Sequence, residues 1–207
     1  SQYTKSMRTA FITHNDGLKH HTPVGHPEST YRLQSVVDRL SMPDFIKLER
    51  IQAPIGRIED VLRAHPIEHV KNLEALIPKA GIAGIDPDTF VSAESFRAAL
   101  RGVGAVTKAI DLVMEKKVRN AFCAMRPPGH HAEKTRAMGF CLFGNVAIGA
   151  KYLLEKYKLN RVAVVDFDVH HGNGTQDLLW NESDALFISM HEMPLFPGTG
   201  YKEEIGK

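Results

Sequence analysis

At 207 residues with 43% hydrophobic side chains, the chain is long enough to bury a sizeable core, most simply as one domain. Its 26 basic and 24 acidic residues leave a formal charge of +2 spread along the sequence, which argues against nucleic acid or an anionic membrane surface as partner. No apolar run is long enough to span a bilayer, and the N-terminal SQYTKSMRTAFITH lacks the sections of a signal peptide, so a soluble intracellular protein is expected, with Met7 a candidate native start.

In chain order, short β-branched or aromatic runs alternate with longer helical patterns. RTAFIT (8–13) reads as a strand, and STYRLQSVVDRL (29–40) as a helix with Leu33, Val36, Val37 and Leu40 on one stripe and Ser29 as its cap. KLERI (47–51) is the second strand. The longest helical pattern, 92–117, takes Ser92 as N-cap; Gly102 and Gly104 in its middle imply close packing or a break. NAFCAM (120–125) is a strand, 145–157 a helix, and RVAVVDFD (161–168) and ALFISM (185–190) further strands. Strand, helix, strand in succession implies parallel crossovers, hence an α/β fold whose sheet is covered on both faces. No repeat or linker interrupts it, so residues 1–207 are taken as one domain. Cys123 and Cys141 lie in apolar segments without a CxxC partner, which suits buried thiols in a reducing compartment such as the cytoplasm.

Two clusters carry chemistry. In VVDFDVHHGNGT (164–175), Asp166, Asp168 and His170 alternate with Phe167 and Val169 and would share one side of an extended segment. An apolar core rejects unpaired carboxylates, so a cation beyond the carboxyl end of the strand is the simplest explanation, and aspartate with imidazole suits zinc or another first-row divalent metal. GNGT supplies a tight turn into the next helix. The second cluster, RPPGHHAEKTRAMGFC (126–141), presents His130 and His131 on a loop stiffened by prolines, a candidate proton-transfer pair. His65 and His69 fall on helical patterns and read as surface or packing residues, and no strand or carboxylate supports His20 and His21.

RPPGHH, GFC, DFDVHHGNGT and FPGTG, in that order, resemble the zinc-dependent histone deacetylase and acetylpolyamine amidohydrolase family, most closely its class II branch and bacterial relatives. HPESTYR (26–32) resembles its HPExPxR element, and DPDTFVSAES (86–95) the loop at its substrate entrance. The resemblance implies the arginase-like three-layer α/β fold with a mainly parallel sheet. It implies Asp168 and His170 as zinc ligands, and His130 and His131 as the catalytic pair, partnered by Asp166 and Asn173. His131 would be the general base and then the general acid; an amide partner leaves it less easily protonated than a carboxylate would. Phe140, with Gly139 beside it, and Phe196 would line the substrate channel. Asp88 would contact substrate at the rim, or else only shape a turn. Backbone carbonyls around Asp166, Asp168 and His170, with Ser189, would form a potassium site. The implied reaction is hydrolysis of an acetylated amine or acetyl-lysine to acetate and free amine. A homo-oligomer is compatible with all of this.

Thr30 stands where the family has a second proline and Gly144 where it has asparagine, which implies local loop differences. The family's third zinc ligand, an aspartate, and its transition-state tyrosine come from segments after FPGTG, and the sequence ends at Lys207. It therefore reads as the N-terminal part of a deacetylase domain, truncated at its C-terminus. Two alternatives follow: a pocket-retaining binding module without the reaction, or another metallohydrolase on the arginase-like fold, for which the clustered carboxylates are too few.

Overall fold

The computed structural model describes residues 8–207; Met7 lies outside them. Two compact units are present, one formed by residues up to Arg57 with Leu76–Gly84 and Phe90–Pro127, the other by Ile58–Ala75, Ile85–Thr89 and Pro128–Lys207.

In the first unit, strands β1 (Thr9–Thr13), β2 (Glu49–Gln52) and β5 (Asn120–Ala124) form a parallel sheet in the order β2-β1-β5, with Ile12 opposite Ile51 and Cys123. Central β1 is buried along Ala10, Phe11 and Ile12, and its alternation feeds two cores. Ala10 and Ile12 pack with Ala105 and Leu112 of helix α4 (Ser95–Met114) and with Val118. Phe11 packs with Leu33, Val36 and Val37 of helix α1 (Thr30–Leu40) on the opposite face. That sheet is covered on both sides, as a parallel sheet requires.

Several local expectations are corrected. Ser92 ends strand β4 (Phe90–Ser92), which pairs antiparallel with β3 (Ile82–Gly84); this hairpin is absent from the sequence reading. Helix α4 therefore begins at Ser95, whose hydroxyl accepts from the Ser92 amide. It runs unbroken through Gly102 and Gly104, because Gly104 lies against the Pro54 carbonyl, where a Cβ would collide. Ser29 occupies the N-cap of α1 without a side-chain hydrogen bond.

The second unit holds helices α2 (Ile58–Val61) and most of α3 (Ile67–Leu76), then α5 (Asn145–Glu155), β6 (Val162–Asp166), α6 (Asn173–Leu179) and β7 (Ala185–Ser189). Strands β6 and β7 pair in parallel with Asp166 opposite Ser189, and α5 lies on β6. Here the expectation of two covered faces fails, since Val165, Leu186 and Ile188 are exposed. Among the described residues no helix is long and apolar enough to cross a membrane.

Candidate active site

Strand β6 stops at Asp166, two residues earlier than the sequence suggests. The Asp166 carboxylate accepts the Asp168 amide at 3.1 Å, and Asp168 in turn accepts the His170 amide at 2.8 Å. Aspartates that bind the backbone two residues on compete with a strand ladder, and they turn the chain here. Phe167, which follows the strand's last residue, is 83% exposed. The turn places Asp168 Oδ1 3.2 Å from His170 Nδ1, so the two expected metal ligands do come together.

The histidine loop is held against this turn. Gly174 and Thr175, in the first turn of α6, donate their amides to the His130 carbonyl at 2.9 and 3.3 Å, so N–H groups without intrahelical partners fix the loop. Gly174 itself abuts Ala132 too closely for a side chain. The His130 and His131 rings lie 3.9 Å apart. His130 Nδ1 meets Asp166 Oδ2 at 2.9 Å, which orients the ring and leaves Nε2 4.0 Å from Asp168 Oδ1. His131 Nδ1 meets Asn173 Oδ1 at 2.7 Å. The His131 ring is 6.0 Å from that of His170, and Phe196 packs edge-on against both at 5.2 and 6.2 Å.

Burial dominates the electrostatics of the pair. It pushes the pKa of His131 down to about 4, assisted by the neighbouring His130 charge and opposed by the Asn173 hydrogen bond. Burial acts upward on Asp166, but the hydrogen bond and charge of His130 outweigh it and hold this carboxyl below its usual range. His131 is therefore a neutral imidazole at pH 7, and Asp166 an anion.

The loop of residues 134–144 forms the wall behind His131. Gly139 has φ +55° and Phe140 φ +72°, and a Cβ on Gly139 would sit 2.5 Å from His131 Cδ2. Phe140 donates its amide to Thr89 Oγ1 at 3.1 Å, which ties this loop to the 85–89 turn. Within that turn Asp86, rather than Asp88, is the organising carboxylate, accepting the amides of Asp88 and Thr89 at 2.8 and 2.7 Å. Ser189 Oγ, expected at a potassium site, lies 3.0 Å from His191 Nδ1, and the Asp166 carbonyl accepts the Met190 amide at 2.9 Å.

Other side chains at the site escape a reading by motif. Glu133 accepts the Asn173 amide at 2.9 Å. His65 and His69 are buried, not on the surface, and their rings stack at 4.5 Å. His65 joins the Lys134 carbonyl at 2.9 Å to the Gly144 amide at 3.0 Å, and His69 meets the Leu142 carbonyl at 2.9 Å. Three backbone groups of the 134–144 loop thus rest on two histidines; in the sequence only their four-residue spacing in AHPIEHV hints at it. His171 is committed to Thr199 and Gln176 at 2.7 and 2.9 Å and holds the FPGTG turn.

Asp168 and His170 have the donor chemistry of a first-row divalent metal, and Asp168 Oδ1 lies 3.2 Å from His170 Nδ1. They fit as part of such a site, since a catalytic zinc takes three protein ligands and no cluster of three suitable donors occurs among the described residues.

The family model described as "Histone deacetylase domain" matches residues 26–207. A "Probable deacetylase" of Archaeoglobus fulgidus is 42% identical over 203 residues, covering 97% of this chain and 56% of that protein. The "Histone deacetylase-like amidohydrolase" of Pseudomonas aeruginosa is 37% identical over 182 residues, 87% of this chain and 47% of the relative. The crystal structure of the HDA15 HD domain superposes with a TM-score of 0.90 at 30% identity, covering 98% of this chain and 59% of that one. The chain thus spans about half the length of the relatives it matches. With the α/β fold, the paired histidines and a match running over most of its length, the chain belongs to the histone deacetylase domain family.

Proposed function

We propose that the chain supplies the histidine pair and two metal ligands of a zinc-dependent amidohydrolase that removes acetyl groups from acetylated small amines or acetyl-lysine. The supporting observation is the neutral, buried His131: Nδ1 is engaged by Asn173, and its ring stands beside His130, His170 and Phe196. Such an imidazole keeps one basic nitrogen, Nε2, on a ring 6.0 Å from that of the expected metal ligand His170.

Asp168 and His170 would hold the zinc, which when bound supplies carbonyl polarisation and a water of lowered pKa. His131 Nε2 takes the proton as the water oxygen bonds to the acyl carbon. The same proton passes to the amine nitrogen as the C–N bond breaks, leaving acetate and the free amine. His130, hydrogen-bonded to Asp166, orients and stabilises without exchanging that proton. Phe140 and Phe196 flank the substrate's methylene stem and exclude water from it. Asp88 lies at the rim, and Ser189 with the carbonyls of Asp166, Asp168 and His170 would hold potassium and stiffen the ligand turn. Two cysteines in apolar segments without a CxxC pairing fit a cytoplasmic setting.

A second reading, a pocket-retaining binding module, is separated from the first by one experiment. Hydrolysis of a fluorogenic acetyl-lysine substrate and bound zinc should be measured on these 207 residues and on a version extended to the relatives' length. Zinc-dependent turnover in the longer protein, abolished by Asp168→Ala, supports the hydrolase. A longer protein that binds zinc stoichiometrically yet is inert supports the module.

A further inference from the structure

We infer that Glu133 is a positioning residue that sets the tautomer of His131 through the Asn173 side chain. A primary amide has a donor end and an acceptor end of nearly the same shape, and either could face an imidazole. If Asn173 presented its NH2 to His131, Nδ1 would have to accept, the proton would sit on Nε2, and the outward nitrogen would cease to be a base. The sequence pattern does not decide between these arrangements.

The surroundings of Asn173 do. Its Nδ2 lies 2.9 Å from Glu133 Oε1, and an ionised carboxylate can only accept. The remaining neighbours of that nitrogen are acceptors too, the His131 carbonyl at 3.5 Å and the Met138 thioether at 3.4 Å, both longer and weaker. Reversing the amide would set oxygen against the Glu133 carboxylate inside a region where Asn173 is 4% exposed. Oδ1 must then face His131 Nδ1, which donates across 2.7 Å, and Nε2 keeps its lone pair. Glu133 is itself held in place by a backbone bridge to Arg136. A carboxylate thus acts on His131 at one remove, fixing its tautomer without placing a full negative charge against the ring.

The catalytic meaning of this arrangement rests on His131 being the base, but the tautomer is measured without substrate. An inert protein with the expected tautomer would therefore fail only the catalytic reading. The test is long-range 1H–15N NMR of the imidazole nitrogens at neutral pH, with the His131 signals assigned by their loss in His131→Gln. The wild-type chain should show His131 as the Nδ1–H form. Glu133→Gln, which can donate as well as accept, should raise the Nε2–H population roughly tenfold or more, as expected on losing the preference of one buried hydrogen bond. A His131 that stays wholly Nδ1–H in Glu133→Gln overturns the inference. Melting temperature gives a second arm that does not depend on the single variant's spectrum. Asn173→Asp alone places a carboxylate against Glu133 and should melt low. Combined with Glu133→Gln it should melt higher and restore the Nδ1–H form. A double variant that melts no higher than Asn173→Asp also overturns the inference.

Discussion

His131 Nδ1 and Asn173 Oδ1 meet at 2.7 Å with both side chains at or below 5% exposure. Removing one partner leaves the other dry and unpaired. Asn173→Ala should therefore cost about 1–3 kcal/mol, the penalty for an unsatisfied buried polar group, with Glu133 Oε1 losing its donor as well. Urea denaturation of the variant against the wild-type chain measures it. A change within a few tenths of a kcal/mol would show that the contact carries little.

Gly139 is held at φ +55° with its α-carbon against the His131 ring. Gly139→Ala meets both objections at once: a strained backbone and a methyl group 2.5 Å from His131 Cδ2. The ring must shift, and misplacement of a catalytic group by an ångström costs on the order of 100-fold in rate. Turnover of the acetyl-lysine substrate should fall by that order while zinc content is unchanged.

The protein should lose stability as the pH falls below 6.5. Burial drives the folded-state pKa of His20 to about 3 and those of His65 and His131 to about 4, from 6.5. Between 6.5 and about 4 the unfolded chain binds protons that the folded chain refuses, so stability falls as pH drops through that window and is fully present above it. Each histidine contributes a slope of up to about 1.4 kcal/mol per pH unit. His65→Gln keeps one donor and one acceptor without a titrating group, and should flatten the slope by about that amount in urea titrations at pH 7, 6 and 5.

In the first unit Arg126 is wholly buried, with Nε and Nη2 on the two Glu28 oxygens at 2.6 and 2.7 Å and Nη1 on the Gly17 and His20 carbonyls at 2.6 and 2.8 Å. Glu28→Gln uncovers that cation and should destabilise by about 3–5 kcal/mol. Thermal denaturation checks it; a shift of a degree or less would mean that the guanidinium is satisfied by carbonyls alone.

The five longer strands and the helices at 30–40, 95–114 and 145–155 are legible in the sequence, because the strands are written as short β-branched or aromatic runs and the helices as amphipathic stripes; the two helices after β2 are not. The paired histidines stood out because a doubled imidazole directly after a strand has few packing uses. What escaped was set by partners distant in sequence. Strands β3 and β4 have three residues each, too few for an alternation to register. Glu133 looks like a loop glutamate until Asn173, forty positions on, comes against it. His65 and His69 gain a role only when residues 134–144 fold over them. Strand β6 ends two residues before its β-pattern does, because its aspartates find backbone amides before they find a ladder.

The central claim, that His131 is the proton-transferring group, is tested most directly by single-turnover hydrolysis in the zinc-loaded protein of the relatives' length, comparing wild type with His131→Ala. The variant should retain its zinc and its affinity for a non-hydrolysable acetyl-lysine analogue, while its chemical step slows by about 10²–10⁴-fold, the usual worth of general acid–base catalysis. A variant whose chemical step stays within a few-fold of wild type would contradict it.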